Sequence, residues 1–212
     1  MPVVEWFYDV ISPFAYIQQE QFHRLPPDVE VVPKPIVLGA ILDHWKTKGP
    51  AEIPTKRTFT YRIAQQRAIE RNVPYKTPPA HPFNPIRALR LAVAVGATVE
   101  TTRTIMRFIW RDGGDVNTPD GWAELCARLG VSPTDEAFIS SDAVKSGLRA
   151  NTDRAVALGV FGVPTFHLNG ELFWGEDATG LFLSYLAQPT LFETGEWARI
   201  SNLPVGIQRK AA

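Results

Sequence analysis

The apolar pattern of this 212-residue chain changes period twice, and that change limits the folds open to it. Residues 3–8 and 29–38 read as strands, the second with apolar residues alternating loosely with charged or prolyl ones. Strand signals then stop until residues 165–168 and 171–174, which flank Asn169-Gly170, a dipeptide that favours a type I′ hairpin turn. Between the two strand regions the period is helical. Segments 58–71, 86–95, 99–110, 119–129 and 142–158 read as helices, and Ser132-Pro-Thr-Asp135, a capping-box variant, opens a further short one. Strand pairs at opposite ends of a chain must share one sheet if they are to bury both faces. The expectation is an α/β domain built from both ends, residues 1–39 and 156–190, around an all-helical insertion at 40–155. Residues 191–212 form a tail with no assigned element.

Composition narrows the function classes. The 22 Lys and Arg balance the 22 Asp and Glu, so no strong field exists to attract nucleic acid or an anionic membrane. No apolar run is long enough to span a bilayer, and Met-Pro-Val-Val-Glu lacks the regions of a signal peptide. The one cysteine rules out an internal disulfide framework and agrees with a reducing, cytoplasmic setting. Cys126 falls on the apolar stripe of segment 119–129, where it reads as a core thiol. The four histidines show no metal-ligand spacing and read as surface or loop residues. Gly159-x-x-Gly162 precedes a strand, so it is no phosphate loop.

Three stretches hold chemistry-bearing residues. In Trp6-Phe-Tyr-Asp-Val-Ile-Ser-Pro-Phe-Ala-Tyr16 a strand turns at 9–12 into a helix, expected to run over 13–25 with Pro13 at its first position. Ser12 is then the N-cap, beside the free N–H groups and positive end of the helix. It either caps only, or also holds an anion. Val163-Pro164, just before a strand, is either an ordinary trans proline or a cis bond that turns the Val163 backbone outward to pair with an extended peptide. Trp174-Gly-Glu-Asp177 places two carboxylates before the closing helix: either Asp177 is merely its cap, or Glu176 or Asp177 receives an ammonium group. A fourth stretch, 72–85, carries five prolines and can be neither helix nor central strand. Because it runs straight into the apolar helix at 86–95, it reads as a packed wall.

Taken in order, Phe7-Tyr-Asp-x-x-Ser-Pro-Phe14, Phe161-Gly-Val-Pro-Thr-Phe166 and Phe173-Trp-Gly-x-Asp177 resemble the 2-hydroxychromene-2-carboxylate isomerases. These group with the kappa-class glutathione transferases in the DsbA-like branch of the thioredoxin fold. The loop His81-Pro-Phe-Asn-Pro85 and Ala88-Leu-Arg-Leu91 are similar to the isomerase branch in particular. The resemblance implies a thioredoxin-like (DsbA-like) domain with an all-helical insertion, which agrees with the element order.

Where thiol–disulfide relatives carry Cys-Pro-x-Cys, this chain has Ser12 and Ala15, so any sulfur must be borrowed. The family's source is glutathione. By resemblance Ser12 hydrogen-bonds the glutathione sulfur and Val163 pairs with the cysteinyl backbone. Trp174, Gly175, Glu176 and Asp177 surround the γ-glutamyl end, with Asp177 on its ammonium group. Lys56 also meets glutathione, and Phe83 and Asn84 lie near a small aromatic second substrate. Thr47 and Ile63 depart from the asparagine and aspartate that many relatives carry. The implied activity is glutathione-dependent isomerisation of 2-hydroxychromene-2-carboxylate, by a homodimer. A kappa-class-like transferase or peroxidase, and a non-catalytic thioredoxin-like binding module, are the alternatives.

Overall fold

The computed structural model describes residues 1–207, so the last five residues of the expected tail lie outside it. Four strands form one sheet: β1 (Val3–Tyr8), β2 (Glu30–Pro35), β3 (Thr165–Leu168) and β4 (Glu171–Trp174), in the order β2-β1-β3-β4. β1 pairs parallel with β2, Trp6 opposite Pro33, and antiparallel with β3, Trp6 opposite Phe166. The two ends of the chain therefore do share a sheet. At the hairpin, Asn169 and Gly170 both have positive φ, 53° and 86°, as a type I′ turn requires.

Alternation along β1 feeds two faces. Trp6 and Tyr8 stack at 4.7 Å on one face, with Phe22, Phe166 and Phe182 completing the aromatic layer. Phe7 points to the other face, against Ile36, Ile41, Ala155 and Val160. Phe7, Phe166, Phe182, Ile36, Ile41 and Val160 are fully buried and contribute roughly 1.5–3 kcal/mol each, while Phe22 is half-buried.

The helices are α1 (Pro13–Glu20), α2 (Leu38–Trp45), α3 (Pro54–Glu70), α4 (Ile86–Ala94), α5 (Val99–Trp110), α6 (Pro119–Arg128), α7 (Glu136–Ser140), α8 (Asp142–Ala157), α9 (Thr179–Ala187) and α10 (Gly195–Ser201). Thr98, Thr118, Asp135 and Ser141 each accept an N–H of the first turn; the expected capping box is not formed, because Asp135 itself is the N-cap of α7 and Ser132 Oγ accepts from the Thr134 N–H. Cys126 is buried on the inner side of α6, and burial pushes its thiol pKa up. Among the described residues, no helix is long and apolar enough to cross a membrane.

Several boundaries differ from expectation. α1 stops at Glu20, and residues Phe22–Arg24 form a 3₁₀ turn that swings Phe22 edge-on to Trp6 at 5.0 Å. Arg107 of α5 grips Glu20 through two bonds, of 2.9 and 2.7 Å, at the point where the helix ends. α9 begins at Thr179, so Asp177 is not its cap. The tail also holds a helix, because Phe192 stacks on Tyr185 at 5.3 Å and Trp197 lies 5.5 Å from Phe192.

Candidate active site at the first helix N-terminus

The turn between β1 and α1 is built by its own residues. Ser12 has extended backbone angles and its Oγ accepts from the Ala15 N–H at 3.2 Å, with Pro13 at the first helical position. That bond uses a lone pair of the hydroxyl and leaves its proton uncommitted. The Phe14 N–H also has no partner among the described residues. Ser12 thus caps the helix and still presents an O–H and a backbone N–H at the positive end of the dipole.

Distant groups hold the turn in place. The Trp110 indole N–H donates to the Val10 carbonyl at 2.8 Å, and His81 Nε2 donates to the Ile11 carbonyl at 2.9 Å. Because a carbonyl only accepts, Nε2 carries the imidazole proton. Nδ1 lies 2.9 Å from the Tyr61 hydroxyl, which also reaches the His81 carbonyl at 2.8 Å. Burial lowers the His81 pKa, which favours the neutral ring at pH 7. His81 is therefore no simple loop histidine: the segment 72–85 is a wall, fastened also by Tyr16 to the Pro74 carbonyl at 2.5 Å and by the Lys76 N–H to the Trp110 carbonyl at 2.7 Å.

Ser12 opens onto a cavity of about 400 Å³ whose lining is largely apolar, with Val37, Leu38, Leu42, Pro82, Pro85 and Ile86 among its walls. Val163 lies on the same cavity. Its peptide bond to Pro164 is cis, and its N–H and C=O enter no hydrogen bond among the described residues. Ser12 and Val163, far apart in sequence, are thus brought together.

Asp9 is the lining residue that sequence reasoning missed. It is 1% exposed, and its carboxylate accepts from the Ile11 N–H at 3.0 Å and the Leu38 N–H at 2.9 Å. Burial outweighs those two bonds and pushes its pKa to about 6.

The remaining expected residues lie off the lining of this cavity. The Trp174 indole packs over Gly162, where a Cβ would fall 2.5 Å from Nε1, and edge-on to Phe161 at 5.1 Å. Gly175 has φ +99°, and a Cβ there would lie 2.4 Å from Asp177 Oδ1, so the Asp177 carboxylate folds back over a residue that must be glycine. The Gly175 N–H donates to the Pro164 carbonyl at 2.8 Å, which couples the 174–177 turn to the Val163 segment. Beneath it, buried Gln18 accepts from the Trp6 indole and donates to the Gly175 carbonyl and to Thr179 Oγ1, at 2.8, 2.9 and 3.1 Å. Glu176 is 3% exposed and ion-paired to Arg71 at 2.7 Å, with Arg67 at 3.9 Å, so its carboxylate already serves α3. Lys56 is exposed in the first turn of α3. Phe83 packs on Trp110 at a centroid distance of 6.5 Å, and Asn84 Oδ1 accepts the first N–H of α4 at 3.1 Å.

Comparison with known proteins agrees with this architecture. Among curated relatives, a "Glutathione s-transferase kappa 2" of Caenorhabditis elegans is 26% identical over 88% of this chain and 92% of its own length. A "2-hydroxychromene-2-carboxylate isomerase" of Pseudomonas sp. (strain C18) is also 26% identical, over 82% of this chain and 85% of its own. A solved structure of 2-hydroxychromene-2-carboxylate isomerase superposes with a TM-score of 0.76 at 21% identity, covering 88% of this chain and 95% of that one. The family model described as the DSBA-like thioredoxin domain matches residues 3–187. With a sheet assembled from both ends of the chain and Ser12 at the helix end facing a cis-prolyl turn, this chain belongs to the DsbA-like thioredoxin family.

Proposed function

We propose that the chain is a glutathione-dependent isomerase that converts 2-hydroxychromene-2-carboxylate, or a related aromatic acid, to its ring-opened trans isomer. The observation that carries this reading is the Ser12 hydroxyl, capping α1 with its proton uncommitted at an apolar cavity shared with the unpaired Val163 backbone. Val163 pairs with the cysteinyl backbone of glutathione. Asp177, with Trp174 and Gly175, receives the γ-glutamyl end, and Lys56 meets the tripeptide from α3. Glu176 contributes by holding Arg71, while Phe83 and Asn84 shape the wall near the aromatic substrate.

A free thiol with a pKa near 8.5 is only a few per cent ionised at pH 7. A hydrogen bond to an anion contributes roughly 1.5–3 kcal/mol, and a pKa unit corresponds to about 1.4, so Ser12 with the helix end lowers the thiol pKa by about 1–2 units. The cyclic hemiketal opens by breaking its ring C–O bond, the C2 hydroxyl proton passing to the phenol oxygen as C2 becomes a ketone. The thiolate then adds its electron pair to the conjugated carbon, and the double-bond pair moves to the ketone oxygen as an enolate. The former double bond rotates as a single bond, and the pair returns to expel the thiolate. Glutathione is regenerated, and Ser12 stabilises the sulfur anion without attacking anything itself.

Ser12→Ala tests this directly: the thiolate absorbance of bound glutathione should titrate about 1–2 units higher than in the wild type. An unchanged titration would remove Ser12 from the mechanism. The equal identity to kappa-class transferases supports a second reading, in which glutathione is consumed in proportion to product. Turnover with substoichiometric glutathione separates the two.

A further inference from the structure

A second cavity, of about 540 Å³, lies against the first and shares Val37 and Ile86 with it as common walls. Arg90, Lys145 and Arg149 line it, against one carboxylate, Asp153. The placement of these cations follows from helix periodicity. Ile86 opens α4 and Arg90 follows four residues on, on the same face and roughly 6 Å further along the axis. On α8, Lys145, Arg149 and Thr152 recur at i, i+4 and i+7, again one face. Thr152 Oγ1 accepts from the Val37 N–H at 3.2 Å, which ties that face of α8 to the shared wall.

The charges there are largely uncompensated. Arg90 and Arg149 make no ion pair among the described residues, and Lys145 approaches Asp142 only at 4.0 Å. The chain as a whole carries no net charge, so this concentration of cations is local. Most other arginines on the surface are matched: Arg154 grips Glu5, Arg107 grips Glu20, and Arg128 bonds both Asp112 and Glu124. An apolar wall backed by two unpaired guanidinium groups suits an aromatic carboxylic acid, with its ring on Val37 and Ile86 and its carboxylate in a forked hydrogen bond.

We propose that Arg90, Lys145 and Arg149 form the carboxylate subsite of the acceptor whose reacting carbon lies at Ser12. This rests on the reading of Ser12 as a thiolate site and adds the residues that select an acidic substrate.

The test is calorimetric, with sodium trans-cinnamate as a non-reacting probe, cinnamamide as its neutral counterpart, and glutathione titrated separately. In the variant R90Q/R149Q, the cinnamate Kd should rise at least about tenfold, as expected for losing charge-assisted bonds, while the cinnamamide and glutathione Kd stay within about twofold. Steady-state assays should show the same rise in the KM of the chromene acid with kcat changed less. A cinnamate Kd that does not change, an absence of cinnamate binding by the wild type, or a rise confined to glutathione would each overturn the subsite. The last outcome would assign the cations to a glutathione carboxylate. Arginine-dependent cinnamate binding in a protein that turns over no chromene acid would instead support the subsite and refute the isomerase reading. Lys145→Gln, on an exposed position, provides a second variant with the same expected direction.

Discussion

Asp9 offers a quantitative test of the electrostatics beneath the candidate site. Its pKa is raised from 3.8 to about 6, burial being the larger influence and the two backbone N–H bonds the smaller, opposing one. A difference of about 2 units corresponds to about 3 kcal/mol. The sign follows from proton counts. Between the two pKa values the folded state binds more protons than the unfolded state, so unfolding free energy falls as pH rises. The contribution is complete below pH about 4 and is lost as pH passes about 6. Asp9→Asn keeps the shape and does not titrate there. Its amide sets an N–H₂ against one backbone N–H, which adds a constant offset, so the shape of the difference curve is the readout.

Urea unfolding of both proteins at intervals from pH 4 to 8 supplies that curve. Wild type minus variant should fall by about 2.4 kcal/mol between pH 4 and 7, the rest of the roughly 3 kcal/mol lying below pH 4. Glu5 and Asp112, held low by Arg154 and Arg111 respectively, tilt the absolute stability the opposite way in acid, and they cancel in the difference. A flat difference would mean that the Asp9 pKa is unshifted. A rising one would mean that the Ile11 and Leu38 N–H groups outweigh burial, and the reasoning about this cavity wall would be refuted.

Two further substitutions probe the 174–177 turn. Gln18→Leu strands the buried Trp6 indole N–H and removes one bond to the turn at Gly175 and one to Thr179 at the start of α9, so it should cost about 2–4 kcal/mol in denaturant titration; a loss under about 1 kcal/mol would show that water replaces the side chain. Gly162→Ala places a methyl 2.5 Å from Trp174 Nε1 and must displace the half-exposed indole, so glutathione Kd should rise about tenfold while folding stability moves by less than about 1 kcal/mol. Unchanged affinity would remove Trp174 from the binding surface.

What could be read from the sequence was local or periodic. Ser12 and Pro13 declare a helix start, Asn169-Gly170 declares a hairpin, and strands confined to both ends imply a shared sheet. The proline-dense 72–85 segment could be recognised as a wall because its neighbour is apolar. The unread parts depend on partners remote in sequence. Asp9 looks like any turn aspartate until the Leu38 N–H arrives from the start of α2. Glu176 looks free until Arg71 meets it across 105 residues. Phe83 and Asn84 sit in irregular backbone, which has no period to tell which side chains face a cavity; Pro82, Pro85 and Ile86 face it instead. The tail helix α10 is held through Trp197 against Phe192, which in turn stacks on Tyr185 of α9, a tertiary contact that no local pattern reports.

The fastening of the Val10–Ile11 turn has a further consequence. Trp110 and His81, both from the stretch between the two halves of the sheet, occupy the Val10 and Ile11 carbonyls with ring N–H groups. Carbonyl lone pairs are the one feature of a tight turn that repels an anion. With both committed elsewhere, the turn's remaining acceptor on the cavity is the Asp9 carboxylate, itself tied to the Ile11 and Leu38 N–H groups. The helical block thus takes part in any anion chemistry by silencing the backbone oxygens closest in sequence to the charge, without touching the charge itself.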